Sequence, residues 1–160
     1  MCHRATDRHD APRPGHLHAL KWRHTDARAG PIVGELSEPA HGRVAPAQLG
    51  VELARLRIEV FRDFPYLYDG TIEYEQKYLQ TYIDHPDSVI VLAFDDEGNK
   101  IVGASTAIPM RDETAELRQP FLEQGYDINT VFYCSESVLN KAYRGLGLGV
   151  RFFEERENHA

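Results

Sequence analysis

Seven residues near the end of the chain, Tyr143-Arg144-Gly145-Leu146-Gly147-Leu148-Gly149, restrict what can be built around them. Before them runs Thr130-Val131-Phe132-Tyr133-Cys134-Ser135-Glu136-Ser137-Val138, rich in β-branched and aromatic residues, which reads as a strand. After them comes Val150-Arg151-Phe152-Phe153-Glu154-Glu155-Arg156-Glu157, and Leu146, Val150 and Phe153 recur at helical spacing. Strand, glycine-rich turn and helix together suit an anion. Glycine lets the backbone take positive φ and approach a ligand closely. The first helical turn leaves N–H groups unpartnered at the positive end of the helix dipole. A phosphate or pyrophosphate is the natural occupant. The spacing G-x-G-x-G does not fit the dinucleotide fingerprint G-x-G-x-x-G, and no Gly-Lys-Ser/Thr follows to make a P-loop.

The chain of 160 residues is long enough for one domain with its own core. A hydrophobic content of 42% and a charged content of 27% are ordinary for a soluble globular protein. The net charge of −7 argues against nucleic acid as a partner. No apolar run approaches membrane-spanning length, and the N-terminus lacks a signal-peptide stretch, so no membrane partner is expected. Cys2 and Cys134 do not make a disulfide framework, which points to a reducing cytoplasm.

Residues 1–30 differ from the remainder. They hold five of the eight histidines and carry a charge of +3, leaving −10 on residues 31–160. Their histidines have no recurring spacing and no hydrophobic period to orient them, so the expectation is a poorly ordered tail and no metal site. From residue 31 onward the elements become regular. Pro31–Ser37 reads as a short strand. A helix follows over Pro46–Phe61, its stripe made by Leu49, Leu53, Leu56 and Val60. Phe64-Pro65-Tyr66-Leu67-Tyr68-Asp69-Gly70 breaks the pattern as a loop. A second helix spans Thr71–Asp84, burying Ile72, Leu79, Tyr82 and Ile83, with Tyr74 and Tyr78 at the boundary, and His85-Pro86 ends it. Ser88–Phe94 and Ile101–Met110 make a hairpin around a turn at 95–100. A short helix over Asp112–Gln124 turns Leu117, Phe121 and Leu122 inward, with Pro120 against it and Gly125 as its stop.

Arg144, Gly147 and Gly149 fall on the fixed positions of R/Q-x-x-G-x-G/A, and in this the stretch resembles the signature of the GNAT N-acetyltransferase superfamily. The order of elements over residues 31–160, including a hairpin that runs Lys-Ile-Val-Gly, is similar to the front portion of that domain. The resemblance implies a mixed, mainly antiparallel sheet flanked by helices, truncated after the glycine-loop helix. A complete domain of the family continues with a fifth strand, a further helix that often supplies a tyrosine as general acid, and two closing strands. It also implies acetyl-CoA as co-substrate and direct transfer of the acetyl group to a small-molecule or peptide amine. The backbone of Arg144, Gly145, Leu146, Gly147, Leu148 and Gly149 would hold the pyrophosphate, and Val138 and Leu139 the pantetheine arm. The alternative is a non-catalytic truncated member that binds CoA or a partner.

Acetyl transfer needs the amine deprotonated and the leaving thiolate protonated. Alternation on a strand places Phe132, Cys134, Glu136 and Val138 on one face and Val131, Tyr133, Ser135 and Ser137 on the other. Glu136 is the strand's one carboxylate. Burial raises a carboxylate into a useful range for a base, and many members of the superfamily place a glutamate here as base; structural pairing with a basic group is the competing reading. Cys134 has no G-x-S-x-G elbow or assignable histidine, so it reads as a small half-buried side chain rather than a nucleophile. Tyr66 and Tyr68, with Tyr74, Tyr78 and Tyr82, have two readings: packing, or (as the resemblance implies) the acceptor side of the site. The free edge of the last strand leaves room for a homo-oligomer.

Overall fold

A computed structural model describes residues 20–22, 46–95 and 100–160. At its centre β2 (Val89–Phe94) and β3 (Ile101–Pro109) are buried along their whole length. Both their faces are covered, which is why Val-Ile-Val-Leu-Ala-Phe runs apolar without alternation. Asp95 N–H donates to the Lys100 carbonyl at 3.0 Å where the hairpin closes; residues 96–99 of the turn lie outside the described residues. β4 (Phe132–Leu139) pairs with β3, giving a three-stranded antiparallel sheet. β1 (Leu20–Trp22) adds to the other edge, antiparallel to β2, in the order β1-β2-β3-β4. These three residues fall within residues 1–30, the rest of which lies outside the described residues; the edge of β2 presents a row of backbone donors and acceptors that an extended segment meets. The strand expected at Pro31–Ser37 lies outside the described residues.

Helices cover the two faces. α1 (Pro46–Arg62) and α2 (Ile72–Asp84) lie on one. Leu49, Leu53 and Leu56 of α1 are buried as their spacing requires, against Leu79 and Tyr82 of α2 and Ile90, Leu92, Phe94, Ala104, Ile108 and Val138 of the sheet. Thr71 caps α2 by accepting from Tyr74 N–H at 3.3 Å. On the other face α4 (Leu148–Glu157) packs Leu148 and Phe152 on Val89, Val91, Ala93, Val102 and Ala107. The stripe of Leu146, Val150 and Phe153 is not the packed one. Val150 is 64% exposed and Phe153 55%, while Leu148, Phe152 and Arg156 are buried.

α3 (Ala115–Glu123) forms within the expected span and ends at Gly125, whose φ is +79°. Its apolar residues do not turn inward. No residue of α3 is buried, Leu117 and Leu122 are exposed, and Phe121 packs edge-on against Tyr126 at 5.9 Å. Helical spacing is present, but among the described residues no layer buries it.

At Gly103 the sheet and α4 meet without room for a side chain. A Cβ there would lie 2.8 Å from Leu139 Cδ1, 3.0 Å from Phe152 Cζ and 3.3 Å from the Val138 carbonyl. Gly103→Val is therefore expected to destabilise the fold by about 1–3 kcal/mol through overpacking. A urea midpoint equal to that of the parent would contradict the packing of α4 on β3.

Candidate functional site

The register between β3 and β4 slips by one residue. Thr106 faces Glu136 and Ala107 faces Cys134, so Ser135 is the extra residue of a β-bulge. This corrects the expected alternation. Phe132 and Cys134 pack on the α4 side, Tyr133 on the α1–α2 side, and beyond the bulge the parity reverses. Glu136 and Val138 thus share the α1–α2 side with Ser135 and no longer share a face with Cys134.

There Glu136 meets a charge on the first helix. Arg57 Nη1 contacts Glu136 Oε1, and Arg57 Nε donates to Glu75 Oε2. The guanidinium also lies 4.2 Å from the centre of the Tyr78 ring and 5.2 Å from that of Phe61. Glu75 is 0% exposed, Arg57 is buried, and the Glu136 side chain keeps 20% of its surface in solvent. Glu136 therefore sits beside a guanidinium, not in an apolar pocket. The pairing with a basic group is present whichever further role the carboxylate has.

A second polar group adjoins the first. Tyr82 Oη donates to Glu113 Oε1 at 3.1 Å and shares hydrogen bonds with Ser135 Oγ at 2.7 Å and Tyr78 Oη at 3.1 Å. Thr114 N–H donates to Glu113 Oε2 at 3.1 Å, so this buried carboxylate is held by a hydroxyl and an amide. Glu75, Tyr78 and Tyr82 recur at steps of three and four, which puts one polar stripe of α2 over β4. Burial pushes the Tyr82 and Tyr78 hydroxyls above their ordinary value of 10.0. The folded state then favours the neutral phenols. Their contribution to stability is complete below pH 10.0 and is lost as pH rises beyond it. Thermal melts from pH 9 to 11 (roughly one unit either side of a free tyrosine) are expected to show this loss. Tyr82→Phe should flatten the alkaline fall, and a parallel fall in parent and variant would count against the buried phenol.

The glycine loop leaves β4 under tight local control. Asn140 N–H donates to the Val102 carbonyl at 2.8 Å, and Asn140 Oδ1 accepts from Ala142 N–H at 3.1 Å to start a 3₁₀ turn over Lys141–Tyr143. Arg144 folds back, donating from Nε to the Leu139 carbonyl at 3.3 Å. Gly145 and Gly147 take φ of +80° and +79°, where L side chains are strained. Gly147 is the N-cap of α4, and the first ladder bond runs from Arg151 N–H to its carbonyl at 3.2 Å. The N–H groups of Leu148, Gly149 and Val150 precede that ladder. Nothing lies within 4 Å of a Cβ built on Gly145, Gly147 or Gly149, so the backbone is open to an approaching group. Arg144, Gly145, Leu146, Gly147 and Gly149 are exposed; the Leu148 side chain is in the core. Val138 is buried and Leu139 half-buried at the end of β4, leading into the loop.

Tyr66 and Tyr68 lie on the loop between α1 and α2. Tyr66 is exposed and packs edge-on to Phe61 at 5.1 Å. Leu67, with φ of +49°, separates them, and Tyr68 N–H donates to the Phe61 carbonyl at 2.8 Å. Partial burial raises the Tyr68 hydroxyl above its ordinary range, with the Glu75 carboxylate next in effect. That couples the loop to the Arg57 cluster. Cys134 is free and half-buried against the α4-side core. Among the described residues no group of His, Cys, Asp and Glu could hold a metal ion, and no helix is long and apolar enough to cross a membrane. The histidines of residues 1–30 lie outside the described residues.

Three residues central to this site, Arg57, Glu75 and Glu113, were not singled out by sequence reasoning. Two left a signal: Arg57 falls on the stripe of Leu53 and Leu56, and Glu75 stands four residues before Leu79. A charge on an apolar stripe is buried only with a partner. Glu113 lies in a turn without periodicity and left none. No protein-family model matches the chain, and neither does any curated protein or solved structure.

Proposed function

We propose that this chain acts as part of an acetyl-CoA-dependent N-acetyltransferase of the GNAT type. The observation that carries the reading is the glycine loop: two positive-φ glycines, between a 3₁₀ turn that follows β4 and the start of α4, with an open approach to their backbone. The pyrophosphate of acetyl-CoA would lie on the Arg144–Gly149 backbone. Its pantetheine would run along the Val138–Leu139 end of β4, and its thioester would come near Glu136.

In this scheme Glu136 takes a proton from the bound ammonium, directly or through one water. The neutral amine attacks the thioester carbonyl carbon, a C–N bond forms, and the C–S bond then breaks. Coenzyme A leaves as a thiolate, which takes up the proton that the nitrogen sheds as the amide forms. The amine would enter between the α1–α2 loop and β4, past Tyr66 and Tyr68.

The test is release of free thiol from acetyl-CoA in the presence of a panel of primary amines. Amine-dependent release that saturates in both substrates is the expected result; release absent with every amine contradicts it. A second reading, a non-catalytic module that binds CoA or a partner protein, is favoured by two observations. Glu136 is engaged by Arg57, and Val150 and Phe153 leave an exposed apolar strip on α4. CoA binding without thiol release would select that reading.

A further inference from the structure

We propose that Arg57 and Glu75 form a buried clamp that orients and tunes the Glu136 carboxylate, which makes both of them positioning residues; their catalytic purpose rests on the acetyl-transfer reading above. The Arg57 guanidinium is engaged through two of its nitrogens and through its plane. Nε is given to Glu75, Nη1 to Glu136, and the plane faces Tyr78 at 4.2 Å. A guanidinium held in this way has one orientation to offer, and the carboxylate it touches is held with it.

Charge explains why two glutamates are present. If Arg57 served only as a counter-ion to Glu136, one carboxylate would be enough. Glu75 is sealed from solvent, and an apolar residue there would avoid its desolvation. Its effect is to share the positive charge, so that the trio carries a net −1. Of the three, Glu136 is the one that reaches solvent, at 20% side-chain exposure. The outcome is a carboxylate fixed in direction and only partly neutralised, which is what a proton acceptor requires. The bulge at Ser135 turns Glu136 to this face.

Other groups bear on Glu136 from the surrounding elements. Tyr78 and Tyr82 lie on α2 and Glu113 on the turn after β3. On the opposite face of the sheet, buried Arg156 of α4 donates to the Glu136 main-chain carbonyl at 3.5 Å. Among these contacts, only the Glu75–Arg57 pair can alter the side-chain carboxylate through a direct ionic contact.

The experiment is carbon-detected NMR titration of glutamate side-chain carboxyls in the full chain, with Glu136 assigned by the signal lost in Glu136→Gln. Glu75→Gln keeps the shape and gives Glu136 the undivided charge of Arg57, so the Glu136 midpoint should fall by about one pH unit. The double variant Arg57→Met/Glu75→Leu removes the clamp without leaving a charge at the sealed position of Glu75, and it should raise the midpoint by about one unit or more. In thiol-release assays the acid limb of the pH profile should shift in the same directions. The value of kcat should fall, while KM for acetyl-CoA holds. A Glu136 midpoint unmoved in both variants overturns the clamp. A midpoint that moves as described, in a chain that transfers acetyl to no amine, upholds the clamp and removes the acetyl-transfer reading.

Discussion

Replacing Arg57 with alanine is expected to cost about 3–5 kcal/mol of folding stability, the usual loss when one partner of a buried ion pair is removed. Most of that comes from what is left behind. Glu75 is fully enclosed, and without Arg57 its carboxylate has neither water nor a cation to replace the lost solvation. Removing the guanidinium also takes a packed group from between the Tyr78 and Phe61 rings. A domain of this size holds about 5–15 kcal/mol in total, so the variant should be marginal at room temperature. Arg57→Met/Glu75→Leu should recover most of the loss, since apolar residues of similar volume avoid the desolvation cost. Urea denaturation of the three proteins decides. A single variant within about 1 kcal/mol of the parent, the size of an exposed ion pair, would mean that the pair is effectively solvated.

Glu136→Gln is expected to lower kcat about 10²–10⁴-fold at neutral pH, the typical contribution of a positioned general base. Glutamine preserves the length and one acceptor oxygen facing Arg57 Nη1, so the clamp geometry should survive. Acetyl-CoA affinity should barely change, because the loop proposed to hold the pyrophosphate lies beyond the end of β4. Equal losses of rate and affinity would instead make the residue structural. Steady-state kinetics with varied acetyl-CoA and a fixed saturating amine separates the two outcomes.

The helices that cover the sheet were readable because their signals are local. Leu49, Leu53 and Leu56 announce the face of α1, Pro46 its start, and His85-Pro86 the end of α2. The hairpin was readable for the same reason. What escaped depends on contacts between distant segments. Nothing in Cys134-Ser135-Glu136-Ser137 marks an extra residue; the bulge exists only against Thr106 and Ala107 of β3, and it moved Glu136 to another face from Cys134. On α4 two stripes fit a 3.6-residue period. Leu146, Val150 and Phe153 is the more apolar, yet the sheet covers Leu148, Phe152 and Arg156.

The buried Arg156 shows why hydropathy alone chose wrongly. Its stem joins the core while its head reaches the Thr106 and Glu136 carbonyls at 3.4 and 3.5 Å and lies 4.5 Å from the centre of the Phe153 ring. α3 failed in the opposite sense: Leu117, Phe121 and Leu122 have helical spacing, but burial is decided by neighbours that spacing does not encode. For the candidate site, the glycine loop and Glu136 were visible as motif and residue type, whereas the partners that condition Glu136 come from α1 and α2.

The central claim is that the Gly145–Gly149 backbone holds the pyrophosphate of a coenzyme A ligand. Calorimetric titration of the full chain with CoA, and in parallel with pantetheine, which lacks the pyrophosphate, tests it most directly. The parent should bind CoA saturably, and Gly147→Val should weaken that binding at least about tenfold, because a β-branched residue resists the φ of +79° and crowds the approach. Pantetheine binding should change little. Equal CoA affinity in parent and Gly147→Val, or no CoA binding by the parent at any concentration reached, would contradict the account.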